Sequence, residues 1–505
     1  MKKKAVIFLS AMLCALCSLA QPTTEQWRPA YHFTAPRNWL NDPNGPILID
    51  GVYHLYYQHN PFENKWGHMS WGHATSKDLL RWKHLPVAMP EEVSADTTTW
   101  MFSGSVVSDS KNTSGFGRNG KAPLVAIYTA DQPKQQKETQ ALAYSNDGGL
   151  SFEQFKGNPV IDLNLKDFRD PNVFWHEQSG RWVMAVALPA VHKVRFYGSA
   201  DLKKWELLSD FGPTGYTKHV WECPFIVPLP VDGDPKRIKW LMMVSSGGDR
   251  GPAFMQYFVG DFDGKTFKSD QPEGGVLTVD HGDTFYAAIP YRLPGRQTLI
   301  GWLMPGKTET FPWRGQMSIP RDLGLVSTAE GTRLVQRPSQ VVSAVVDRLG
   351  KGNMLLYRSL SIGKRKVLSA PGRFDQNCWW LDLELDIKRF GKQGIRLAAD
   401  TIKGSFVEVG YDPVSQQLYV DCTSSEKGRR EERNLLQTAP LAAPDGKVKI
   451  SVLFDRSSLE VFGNDGRAVI STLVFPATGA NALSVFSAHA AGVVPRLRLV
   501  NMTGL

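Results

Sequence analysis

What most limits the fold of this chain is the shortness of its apolar runs. "GVYHLYYQHN" from Gly51, "APLVAIYTA" from Ala122, "RWVMAVALP" from Arg181, "KWLMMVSS" from Lys239 and "TLIGWLMP" from Thr298 are strand-length and separated by Gly, Asp, Asn and Pro clusters. Long helical periodicity is scarce, so the pattern is all-β. A degenerate repeat runs through it: "SKDLLRW" ending at Trp82, "SNDGGLSF" at Phe152, "SADLKKW" at Trp205 and "GDFDGKTF" at Phe267. Each is a polar turn carrying Asp, then an aromatic, at a spacing of about 50 to about 70 residues, the range of one propeller blade with its loops. Four such hairpins, their rings packed between blades, and further strands from Tyr286 onward predict a five-bladed β-propeller.

The character changes near Arg337. "QRPSQVVSAVVDRLGKGN" reads as a linker with room for one helical turn. Beyond it, "WWLDLELDI", "SFVEVGYD", "QQLYVDCT", "KVKISVLFD" and "SSLEVFGNDGRAVIS" alternate as strands of a β-sandwich, with "NDGR" as a hairpin turn. The expected division is a signal peptide over 1–20, a propeller over 21–337, a linker over 338–352 and a sandwich over 353–505. The N-terminus supports the first: three lysines, an apolar run from Ala5 to Leu16 too short to span a bilayer, and Ser18-Leu19-Ala20 as cleavage site. That predicts a periplasmic or extracellular protein starting at Gln21. Lipid anchoring at Cys17 is the second choice, because Leu16 is bulky for such a site.

The net charge of +9 is spread along the chain, and its densest run, "KGRREERN" from Lys427, contains two Glu. This reads as a solvated loop, not a nucleic-acid surface. Cys223, Cys378 and Cys422 remain after cleavage, with no CxxC spacing and so no zinc or disulfide framework; Cys378 and Cys422 could pair. His54, His59, His68, His73 and His84 read as hydrogen-bonded strand and loop residues. No metal and no cofactor is expected. The 15 Trp and 25 Phe suit a protein that packs rings against sugars.

Three turn-like stretches each offer one carboxylate: Asp42 in "WLNDPNG", Asp170 in "FRDPNVFW" and Glu222 in "WECPF". Propeller loops of equivalent position converge at one end of the central channel, so these groups can meet. Glycoside hydrolysis needs two carboxyl groups across the scissile bond, one attacking or activating water and one protonating the leaving oxygen. A third can bind hydroxyls of a ring gaining positive charge.

These stretches, with "FSGS", "WRGQMSIPRDL" and "FDRSSLEVFGNDG", resemble glycoside hydrolase family 32, the family of levanases, inulinases and invertases, from about Trp39 to about Gly466. The resemblance implies a five-bladed propeller followed by a β-sandwich. It implies Asp42 as nucleophile, Glu222 as general acid/base and Asp170 as transition-state stabiliser. It places Asn41, Gln58, Trp66, Phe102, Ser103, Arg169 and Trp313 around a terminal fructose, with Trp302 as competitor to Trp313. Asp42 is then expected to stay ionised, held by donors, and Glu222 to start protonated. The chain departs from the family at Phe225, where Asp is usual, which bears on the tuning of Glu222 or on the pocket wall. The expected substrate is a fructan, levan or inulin, with sucrose as a related one. Transfer to an acceptor sugar, endo cleavage, inverting arabinan hydrolysis and non-catalytic fructan binding are the competing readings. The loops from Glu91 to Trp100 and from Asp131 to Glu138 would carry linkage preference.

Overall fold

The computed structural model describes residues 23–247, 253–306, 310–368, 377–387, 391–425, 435–488 and 492–505. The expected signal peptide, with Cys17, and the basic run from Lys427 lie outside them.

Five antiparallel blades form the first part of the chain. Their innermost strands are Asn38–Ile49, Thr98–Ser108, Arg169–His176, Glu222–Val231 and Phe285–Leu293. Each touches the next in that order, and the fifth touches the first, which closes the ring. The sequence repeat is the turn into the outer strand. Ser76, Ser145 and Ser199 accept backbone N–H groups through Oγ, while Asp78, Asp147, Asp201 and Asp263 accept those two or three residues further on. These Asx and Ser turns stand in for backbone turn bonds. The following rings pack between blades: Phe152 lies 5.5 Å from Tyr56 of the first blade, and Phe267 lies 5.1 Å from Phe211 of the third.

The segment read as a linker holds a helix of 11 residues, Gln340–Gly350, instead of a single turn. Val342, Val345 and Val346 are buried on one face at i, i+3 and i+4. They join an apolar cluster shared with Leu323 and Leu325 of the fifth blade and Trp380 and Val500 beyond the helix. Two six-stranded sheets then pack as the sandwich. "NDGR" is the hairpin turn between Ser458–Gly463 and Ala468–Leu473, with Asn464 and Asp465 both at positive φ. Cys378 and Cys422 remain thiols and form no disulfide.

A buried polar joint ties the two parts together. Asp455 accepts the N–H groups of Ala30, Tyr31 and His32 at 2.6–2.8 Å. The His32 ring bridges Asp455 and Glu460, 3.0 Å from each. Arg321 reaches Glu460 through Nε at 3.0 Å and Asp280 through Nη1 at 2.9 Å. Three carboxylates without these cations would be costly to bury.

Candidate active site

Every innermost strand carries the same irregularity. Two residues oppose one on the neighbouring strand: Asn41–Asp42 against Gln58, Phe102–Ser103 against Thr129, Asp170–Pro171 against Val186, Cys223–Pro224 against Val244, and Ala287–Ala288 against Gly301. Such bulges bend a strand and re-aim a side chain. Asp170 (φ 67°), Cys223 (φ 48°) and Ala287 (φ 49°) take the left-handed conformation there, which costs non-glycine residues energy and persists where the surroundings impose it. Two glycines make room. A Cβ on Gly45 would lie 2.4 Å from Val106 Cγ2, and one on Gly104 2.2 Å from the Ile127 carbonyl oxygen.

The bulges bring the carboxylates together. Asp42 accepts from Asn41 Nδ2 at 3.0 Å through Oδ1 and from Ser103 Oγ at 2.7 Å through Oδ2. The Cys223 thiol lies 3.6 Å from Oδ2 of both Asp42 and Asp170, and its amide N–H donates to Asp170 Oδ2 at 2.9 Å. The Asp170 N–H donates to Thr129 Oγ1 at 3.0 Å. Arg169 Nη1 donates to Glu222 Oε1 at 3.3 Å, and Tyr286 Oη lies 2.7 Å from Glu222 Oε2. Burial pushes Asp42 above the ordinary carboxylate range, opposed by Ser103, Asn41 and Cys223. The expected donors are present, yet desolvation outweighs them. Asp170 is pushed well up by burial and then by the charge of Glu222, with Arg169 opposing.

The other expected sugar contacts divide. Asn41, Ser103 and Arg169 each touch a carboxylate directly. Trp66 is 51% exposed and meets Trp100 and Phe102 edge-on, at 5.3 and 6.1 Å, forming an open aromatic rim next to Ser103. Gln58 is buried opposite the first bulge and donates to the Met101 carbonyl at 2.8 Å. Trp313 is buried with Arg28 5.4 Å from its ring centre. Its competitor Trp302 packs 5.8 Å from Trp39, whose indole N–H donates to Asn41 at 2.8 Å. Trp302 thus connects to Asp42 through two residues. Phe225 is fully buried in the apolar cluster. Of the histidines, His59 bonds the Trp39 carbonyl at 2.7 Å, His54 bonds His73 at 3.1 Å, and His68 bonds Glu91 at 2.9 Å.

Tyr286, Thr129 and Glu138 escape a reading of the sequence, since each stands in an ordinary strand pattern. Cys223 carried one signal, its place directly after Glu222.

A five-bladed propeller that gathers two carboxylates on the bulges of its innermost strands and a third directly beside one, and that is followed by a sandwich, defines a glycoside hydrolase. The family models agree: the glycosyl hydrolases family 32 N-terminal domain matches residues 32–338, and the family 32 C-terminal domain matches residues 354–501. The chain belongs to glycoside hydrolase family 32. It is 41% identical over 482 residues to a levanase of Bacillus subtilis (strain 168), covering 92% of this chain and 69% of that one. It is 35% identical over 544 residues to an extracellular exo-inulinase of Aspergillus ficuum, covering 99% of both. The crystal structure of exo-inulinase from Aspergillus awamori superposes with a TM-score of 0.84 at 33% identity, over 94% of this chain and 98% of that one.

Proposed function

We propose that this protein is a secreted, retaining β-fructofuranosidase that removes terminal fructose from levan or inulin, with sucrose as a related substrate. Asp42 is the nucleophile, Glu222 the general acid/base and Asp170 the stabiliser of the transition state. One observation carries this reading: the three carboxylates meet, Cys223 Sγ lying 3.6 Å from both aspartates and Arg169, next to Asp170 in the chain, donating to Glu222 at 3.3 Å. Asp42 receives donors on both oxygens, from Asn41 and Ser103, as an attacking carboxylate requires. Glu222 accepts from Arg169 Nη1 at 3.3 Å and from the Tyr286 hydroxyl at 2.7 Å.

In the first step Asp42 attacks the anomeric carbon, and the Glu222 proton passes to the departing oxygen. In the second, Glu222 takes a proton from water, which displaces Asp42 and releases fructose. Asp170, pinned by the Cys223 N–H, offers its charge to hydroxyls of the ring as positive charge develops. The exposed face of Trp66 suits the apolar side of a sugar. The extracellular relative and the signal-like N-terminus favour secretion, and no helix among the described residues is long and apolar enough to cross a membrane.

Product analysis tests the reading. Protein from Gln21 onward is incubated with levan, inulin, sucrose and arabinan, and soluble sugars are separated over time. Free fructose from the earliest point, without an oligosaccharide ladder, is expected. A ladder would mean endo cleavage, longer products from sucrose would mean transfer, and no product from any fructan would leave a binding protein.

A further inference from the structure

Arg169 donates to three carboxylates at once: Nη1 to Glu222, Nε to Glu138 at 3.0 Å, and Nη2 to Asp167. Asp167 is 36% exposed and easily hydrated, whereas the Glu138 side chain is only 4% exposed. Glu138 lies on the third strand of the second blade, Lys137–Ser145, and reaches across to the innermost strand of the third. Its second oxygen accepts the Phe168 N–H at 2.6 Å. One buried carboxylate therefore holds both the side chain of Arg169 and the backbone directly before it, yet the catalytic steps do not use it.

The electrostatics give it a task. A guanidinium beside Glu222 favours the ionised form of that group, which is the wrong form for an acid at the start of the reaction. A negative charge on the far side of the guanidinium cancels much of that effect. We infer that Glu138 is a positioning residue that fixes the Arg169 fork against Glu222 and, through its charge, keeps Glu222 protonated towards neutral pH. This rests on reading Glu222 as the general acid.

The groups facing Glu138 are Arg169 and Asp167 from the third blade and Asp131, its direct cross-strand partner. The adjacent Lys137 is occupied by Asp162 at 2.6 Å. Burial, opposed mainly by Arg169, pushes Glu138 up to about 7, and Asp131 is likewise pushed up to about 6. Glu138 is therefore charged on the alkaline side, where Glu222 most needs help to keep its proton.

The test compares the parent with Glu138→Gln and Glu138→Asp. Values of kcat and KM are measured from pH 4 to 9 on sucrose and on an aryl β-fructofuranoside, whose leaving group needs little protonation. Circular dichroism checks folding. For Glu138→Gln the expected result on sucrose is a fall in kcat of about tenfold. Its alkaline limb should move about one pH unit lower, with a much smaller loss on the aryl substrate. Glu138→Asp keeps the charge, so its limb should stay at the parental position even where kcat falls. An unmoved limb in folded Glu138→Gln, or equal losses on both substrates, would overturn the inference, as would a limb shifted in Glu138→Asp. The Asp form keeps the test open if the Gln form does not fold. Undiminished sucrose hydrolysis by Glu222→Gln would instead overturn the underlying reading of Glu222.

Discussion

The hydroxyl of Tyr286 donates to Oε2 of Glu222 at 2.7 Å. A hydrogen bond donated to a carboxylate favours its ionised form, the form that acts as base in the second step. Tyr286→Phe removes that donor and keeps the ring. The expected result is a fold indistinguishable by circular dichroism, a fall in kcat of about tenfold, and an alkaline limb moved to higher pH. A parental pH profile would contradict it.

Asp42→Asn leaves a side chain of the same shape that cannot attack. Turnover should fall by about four orders of magnitude or more, with binding of fructose retained. Glu222→Gln should lose about 10²- to 10⁴-fold on sucrose and less on an aryl fructoside. Kinetics with both substrates check the pair, and near-normal activity in either variant would refute the role given to it.

Ser103 donates to Asp42 at 2.7 Å from the bulge of the second blade. A hydrogen bond to a charged group is worth about 1.5–3 kcal/mol. Ser103→Ala should therefore lower kcat/KM by about 10- to 150-fold without altering thermal stability by more than a few degrees. Steady-state kinetics alongside a melting curve measure both.

The joint between propeller and sandwich predicts a pH dependence of stability. Burial alone would push His32 down, but its bonds to Asp455 and Glu460 overcome this and raise it to about 9. An unfolded histidine titrates near 6.5. The stabilisation is thus complete below about pH 6.5 and is lost as pH rises through about 9, amounting to about 3 kcal/mol. Calorimetry from pH 6 to 10 should show the parent losing stability across that window and His32→Gln, less stable at pH 6, changing less. A parent melting temperature flat over the window would exclude a protonated His32.

Much of this was legible locally. The Ser and Asp turn residues cap their own backbone, so the hairpins at Asp78, Asp147, Asp201 and Asp263 could be read without knowing what they pack on. The Asn-Asp turn at 464–465 could be read in the same way. The helix at Gln340–Gly350 is weakly marked in the sequence because its three buried valines are weak helix formers. Their stripe becomes stable only between two domains.

By itself, the sequence determined the all-β class, the blade period, the propeller followed by a sandwich, and the three carboxylates in their turns. These follow from short-range chemistry: residue alternation, turn geometry and motifs within a few residues. Only the tertiary structure decided what surrounds each carboxylate. The strand positions of Tyr286, Thr129 and Glu138 look like any others, because a side chain's partner across a propeller is set by which strand closes next to which. The same holds for Trp302, whose packing on Trp39 is a property of the closed ring. The five matched bulges are likewise invisible in one strand alone, since a bulge exists only relative to its partner strand.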